Sequence, residues 1–306
     1  MPCTNCGQAL IGEFCHACGQ RRFVETDRRF GHLIHQFLAS ATDLDGRVWR
    51  TVRALLFQPG LLSREYFEGR RARWISPASL FLAVSVIYFF APFHGSDLAL
   101  QFNQQVSERV RALALGPNES PSDEQRRRSG QMHTPYTERL IEARVRARDA
   151  EARKHSDGSS GYSYHDYRLA YDAKADDVSK ALVIVHLPFV ALALMLVFAR
   201  QRHYFAEHFV VALHFLAFAM LLLQIVVQIR ALLIATLPVA WLPPEWSWDW
   251  IMRVLLSAYA VAALRRAYAV GWVAASAVAV VMLASVIAAN LYVYRAVQFL
   301  VTFALT

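Results

Sequence analysis

Residues 208–229 read HFVVALHFLAFAMLLLQIVVQI, twenty-two positions without an Asp, Glu, Lys or Arg. A helix of that length rises about 33 Å, enough to cross a hydrocarbon core of about 30 Å. Four more apolar segments, 77–93, 181–199, 246–264 and 267 to about 292, approach the same length. The charge distribution agrees: of 32 Lys and Arg and 24 Asp and Glu, only seven and three respectively lie beyond Lys180. With 56% hydrophobic and 18% charged residues, the chain is not a disordered segment, a disulfide-rich secreted module or a soluble dehydrogenase-type protein. The expected architecture is all-α, a polytopic membrane helical bundle of about five spans.

Short loops orient the spans. Arg200 and Arg202 lie between the second and third, Arg265 and Arg266 between the fourth and fifth, and short basic loops face the cytosol. The loop 237–250 carries Trp241, Trp246, Trp248 and Trp250, an aromatic belt for the opposite face. Alternation then puts 1–76 inside, 94–180 outside as a partly helical loop, and the C-terminus in the periplasm. A helix over 137–154, a break at 155–163 and a linker at 116–135 are expected within the outer loop. The apolar stretch 296–305 is too short to span; it either extends the fifth helix or lies at the outer surface. Met1 is followed by Pro2 and Cys3 with no secretory signal, so the N-terminus is expected in the cytosol.

The net charge of +8 is spread, with +4 over 1–76, none over 77–180 and +4 thereafter. A spread excess argues against nucleic-acid binding. Amphipathic helices are expected over 30–41 and around Val48, Trp49, Val52, Leu55 and Leu56, lying on the inner membrane surface or packing on each other or on the cytosolic turns. The run GRRARW at 69–74 brings Arg70, Arg71 and Arg73 to the membrane surface as a basic anchor.

Cys3 and Cys6, then Cys15 and Cys18, form two C-x-x-C pairs, each followed by Gly. The spacing lets both sulfurs of a tight turn reach one ion, and four thiolates leave no open coordination position, so a structural zinc ribbon is expected over 1–24. Redox-active dithiols or an iron site are the competing readings. His16, between the second pair, is either an alternative ligand or a surface residue. Segment 25–76 follows as cytosolic juxtamembrane helices, 77–93 as the first transmembrane helix and 181–306 as a four-span domain.

Inside the membrane, Glu207, His214 and Gln228 share one face of the third span, with Gln224 at its margin. His186 and Arg253 are intramembrane polar candidates at the outer level, and His208 lies near the cytosolic surface. Such a face is either a solute path or interhelical glue. His203, His208 and His214 lack i, i+4 spacing, which disfavours a metal or haem site. An embedded enzyme would have only Glu207, His208 and His214 for its chemistry; no catalytic motif is present, and the chain reads more as a non-enzyme.

The motifs CTNCGQALIGEFCHACGQ, RVWRT leading to Pro59-Gly60, YFEGRR before Ser76-Pro77, the run 204–218 with Glu207, His208 and His214, and LRRAY at 264–268 together resemble a bacterial membrane-protein family catalogued as a domain of unknown function, number three-six-six-seven in that series. The resemblance implies this architecture and the bacterial inner membrane, with no activity or catalytic residue to carry over. Three functional classes follow: a non-enzymatic adaptor or regulator whose ribbon recruits a protein partner to the membrane; a small-solute or lipid transporter using the polar face of the third span; and, last, the embedded enzyme. Membrane lipids are partners in all three. The oligomeric state is not legible.

Overall fold

In the computed structural model the described residues are 2–20, 22, 46–90, 101–115, 134–155, 161–201, 203–238 and 243–306. The helix at 30–41, most of the linker at 116–135, the centre of the break at 155–163, Arg202 and Trp241 lie outside them. The regular elements among the described residues are helices: α1 (Arg47–Phe57), α2 (Leu61–Phe67), α3 (Pro77–Phe90), α4 (Phe102–Gln105), α5 (Glu108–Ala114), α6 (Thr134–His155), α7 (Tyr164–Leu182), α8 (His186–Val197), α9 (Phe205–Thr236), α10 (Glu245–Tyr268), α11 (Trp272–Ala288) and α12 (Arg295–Leu305). A 3-10 turn, Val183–Val185, precedes α8, and a π-helical turn, Ala289–Tyr294, joins α11 to α12. An antiparallel bridge joins Pro2 to Ala9.

By length and composition, Phe205–Thr236 and Trp272–Leu305 can each cross a membrane, with mean hydropathies of 2.6 and 2.3. The broken pair Tyr164–Ser179 and Val183–Val197 would make a third candidate. Among the described residues, two segments read as spans fall short of that standard. The first is a shorter apolar helix, Pro77–Tyr88, and the fourth, α10, carries Asp249 and Arg253 in its first half. Trp246, Trp248 and Trp250, read both as the end of that loop and as the start of the fourth span, lie in the first turns of α10. The stretch 296–305 extends the preceding helix: Arg295 donates its backbone N–H to the Asn290 carbonyl, five residues back, and the chain stays helical to Leu305.

The chain divides into two compact units, Met1–Gly95 with His186–Ile287, and Ser96–Val185 with Ala288–Thr306. In the first unit α9 packs against α8, α3, α10 and α2. Its half toward Phe205 is buried all round, as a helix apolar on every face must be when neighbours surround it. The hairpin α1–α2 packs on this bundle: Thr51, Ala54 and Leu55 turn inward, Trp49 faces out, and Tyr259 of α10 donates to the Leu55 carbonyl at 2.9 Å. Gly60 makes the hairpin possible. Its φ is +74°, and a Cβ there would sit 2.3 Å from the carbonyl oxygen of Ala263 on α10.

The second unit has its own core. Phe102, Val106, Val110 and Ala114 recur every fourth residue, as do Tyr167, Tyr171 and Ala175, and Ile141, Val145 and Phe299 join them. Residues 102–115, 141–155 and 161–175, read as a partly helical loop, therefore belong to a packed helical unit. Its helices before Ser179 each carry few apolar residues, and Phe299, which completes the core, comes from far along the chain. Gln105 donates to the Tyr171 hydroxyl at 2.9 Å, and Tyr294 donates to the Ser179 carbonyl at 3.3 Å. Burial raises the Tyr167 and Tyr171 phenols above their ordinary range.

Candidate metal centre and polar helix face

The four cysteines converge. One ligand atom from each of Cys3, Cys6, Cys15 and Cys18 lies within 4.8 Å of the others. Cys3 and Cys18 sulfurs are 3.7 Å apart, Cys6 and Cys15 sulfurs 3.6 Å. A tetrahedral thiolate site with Zn–S bonds of about 2.3 Å has sulfur–sulfur edges of about 3.8 Å, so the donor set fits. Local sequence builds it twice over. In CTNCGQ and CHACGQ alike the first Cys N–H donates to the Gln carbonyl at 2.8 Å, and the Gly N–H donates back to the first Cys carbonyl at 2.9 and 2.8 Å. Gly7 and Gly19 close these turns at φ +78° and +71°. Hydrogen bonds from the Asn5 side chain and the Gln20 backbone lower the Cys18 thiol from its ordinary value to about 6. His16 is exposed and outside the four-sulfur group.

The four-cysteine module is fixed to the turn at 69–72. Gln20 is buried, and its Oε1 accepts from the backbone N–H groups of Arg71 and Ala72 at 3.1 and 2.8 Å. Thr4 donates to the Gly69 carbonyl at 3.3 Å. The arginines of that turn are held in place. Arg70 donates to Glu65 at 3.0 and 2.6 Å and also pairs with Glu68, while Arg71 lies 3.7 Å over the Tyr66 ring. Arg73 is exposed. Burial raises the Glu65 carboxyl, but the hydrogen bonds and charge of Arg70 outweigh it and hold Glu65 below the usual carboxylate range.

Each polar residue at the Phe205 end of α9 has a partner. Glu207 caps the helix, accepting from the Tyr204 N–H at 3.3 Å, and lies 2.8 Å from His203 Nδ1. His208 Nδ1 is 2.7 Å from the Tyr268 hydroxyl, and Phe198 stacks on Tyr268 with ring centroids 4.0 Å apart. His214 Nδ1 is 2.9 Å from the Ser63 hydroxyl on α2. Further along, Gln224 is buried and Gln228 half-buried. His186 is buried at the start of α8, whereas Arg253 is exposed, its guanidinium 5.7 Å from the Trp250 ring centroid. The expected stripe thus divides into local pairs. Beside His214 a cavity of about 140 Å³ is lined by Tyr66, Arg70, Arg71, Trp74 and Ser76 among others.

Sequence reading missed Gln20, Ser63, Tyr259 and Tyr268. The repeat of C-x-x-C-G-Q was the available signal for Gln20. The other three are ordinary residues whose partners lie 60 to 204 positions away.

Residues 45–89 match a known family. Its model is DUF3667, described as a protein of unknown function. The DUF3667 match covers α1, Gly60, α2, the arginine turn and nearly all of α3, the part of the chain that packs on α9 and carries the ribbon. No curated protein and no solved structure matches the chain.

Proposed function

We propose that this chain is a non-enzymatic adaptor of the bacterial inner membrane, whose structural zinc ribbon presents a docking surface for a protein partner at the cytosolic face. The observation that carries this reading is the ribbon's asymmetry. One end is tied to the turn at 69–72 by Gln20 and Thr4, while the stretch between the cysteine pairs exposes Ile11 and Phe14 at 89% and 62%. Apolar side chains on a module this small, stapled by metal rather than by a core, favour recognition over packing. Zinc is the ion of choice for four thiolates at this separation.

The five-span topology remains part of the proposal, with 1–76 cytosolic and both 94–180 and the C-terminus periplasmic. The shared core of Phe299 with Phe102 and Tyr171 supports an even number of crossings between residues 185 and 288. Ile11→Ser with Phe14→Ser tests the adaptor reading. Zinc content and membrane insertion should be unchanged and partner co-purification from native membranes lost. Co-purification equal to wild type would overturn it.

The cavity beside His214 favours a second reading, a small-solute or lipid transporter. Loss of transport in proteoliposomes with His214→Ala or Gln228→Leu would support it. An embedded enzyme has less support, since Glu207 is engaged as a helix cap.

A further inference from the structure

A second depression lies in the same unit, between α2 and the turn joining α10 to α11. Its volume is about 530 Å³, and its lining includes Arg64, Arg265, Arg266, Pro59, Val270 and Trp272. No carboxylate is among its lining residues. Arg64 comes from a helix two hundred positions before the other two arginines, so this cationic groove is a product of the fold. Arg64 gives its Nε–H to Glu68 at 2.8 Å; a guanidinium has five donors, and the side chain is 50% exposed. Arg265 and Arg266 are exposed, and the Arg265 guanidinium sits 4.3 Å over the Trp272 ring.

From Trp272 an apolar stripe runs away along α11. Val273, Val280 and Ile287 follow at seven-residue intervals on one helix face and are 87%, 68% and 60% exposed. Fourteen residues of helix cover about 21 Å, ample for an acyl chain in one leaflet of a core about 30 Å thick. Trp272 stands where the two surfaces meet, a usual position for an interfacial aromatic.

We infer that this groove binds the phosphodiester headgroup of an anionic phospholipid, with an acyl chain along Val273, Val280 and Ile287. Three guanidinia supply the charge and the donors for phosphate oxygens, and Arg suits such contacts better than Lys. A soluble anion would use the arginines alone and leave the stripe without a role. The inference rests on the membrane reading and is independent of whether the ribbon recruits a partner.

Native mass spectrometry of the full-length, zinc-loaded protein in mixed micelles tests it, with phosphatidylglycerol, phosphatidylcholine and inorganic phosphate as separate probes. The wild type should retain phosphatidylglycerol and release phosphatidylcholine. Arg265→Gln with Arg266→Gln, and separately Arg64→Gln, should weaken phosphatidylglycerol retention roughly tenfold. Arg64→Gln leaves the α10–α11 turn untouched, and equal unfolding midpoints in phosphatidylcholine micelles would show that the variants remain folded. Equal retention of both lipids, undiminished retention in folded variants, or displacement of phosphatidylglycerol by millimolar inorganic phosphate would each overturn the assignment. The last result would make the groove a soluble-anion site. Extraction of the wild type into the soluble fraction without detergent would contradict the membrane reading itself.

Discussion

Three residues carry disproportionate weight. At Gly60 an Ala would have to adopt φ near +74° and place its Cβ against the backbone of Ala263, which has no side chain to move aside. Gly60→Ala is expected to lower stability by about 2 kcal/mol or more, read as a drop in unfolding midpoint in detergent. At the ribbon, Cys18→Ser removes one of four thiolates. Zinc content should fall toward zero while the membrane fraction is unchanged, because little but the metal holds a module whose buried residues are Cys3, Cys15 and Gln20. At Glu65 the folded carboxyl is held below its unfolded value by Arg70, against the opposing effect of burial. Its contribution is therefore present above pH of about 4.3 and lost as pH falls through the lower folded value. Glu65→Gln should shorten that acid limb and cost about 1 kcal/mol at neutral pH, checked by unfolding between pH 3 and 7, a range of about four units around that limb.

Among the elements, α9 is the keystone of its unit, and the pairs along it act as interhelical clamps. Ser63→Ala alone leaves His214 buried without its hydroxyl partner, whereas Ser63→Ala with His214→Leu removes both polar groups. The single change should cost about 1–3 kcal/mol and the double change less, a non-additivity that a thermal-unfolding cycle in detergent measures. The helix itself was legible in the sequence, since an uncharged run from His208 to Ile229 admits few alternatives. Its ends, and the breaks in its neighbours, were less so. The apolar run at 181–199 gives no hydropathy sign of the 3-10 turn at Val183–Val185; the visible clue was Pro188, which cannot donate to the carbonyl four residues before it. The π turn at Ala289–Tyr294 likewise leaves composition unchanged, so the continuation of the helix to Leu305 stayed open in the sequence. The convergence of Cys3, Cys6, Cys15 and Cys18 was fully legible because their spacing is local. The convergence of Arg64 with Arg265 and Arg266 depends on long-range folding and left no local trace, whereas the repeated C-x-x-C-G-Q marked Gln20 without indicating its docking on Arg71 and Ala72.

For the whole molecule, the proposal joins a ribbon braced on the DUF3667 segment to a helical bundle, and assigns opposite sides of the membrane to α1 and α6. Single cysteines at Phe57 and Tyr136, both exposed, test this in a background lacking the native four. An impermeant maleimide added to intact cells should label position 136 and spare position 57. The central claim, recruitment through the ribbon, is tested most directly by a photo-crosslinker at position 14 in living cells. The zinc-loaded protein should yield one discrete protein adduct there, and the variant with Ser at Cys3, Cys6, Cys15 and Cys18 should yield none while remaining in the membrane. An absence of protein adducts from the zinc-loaded form, or the same adduct from both forms, would contradict it.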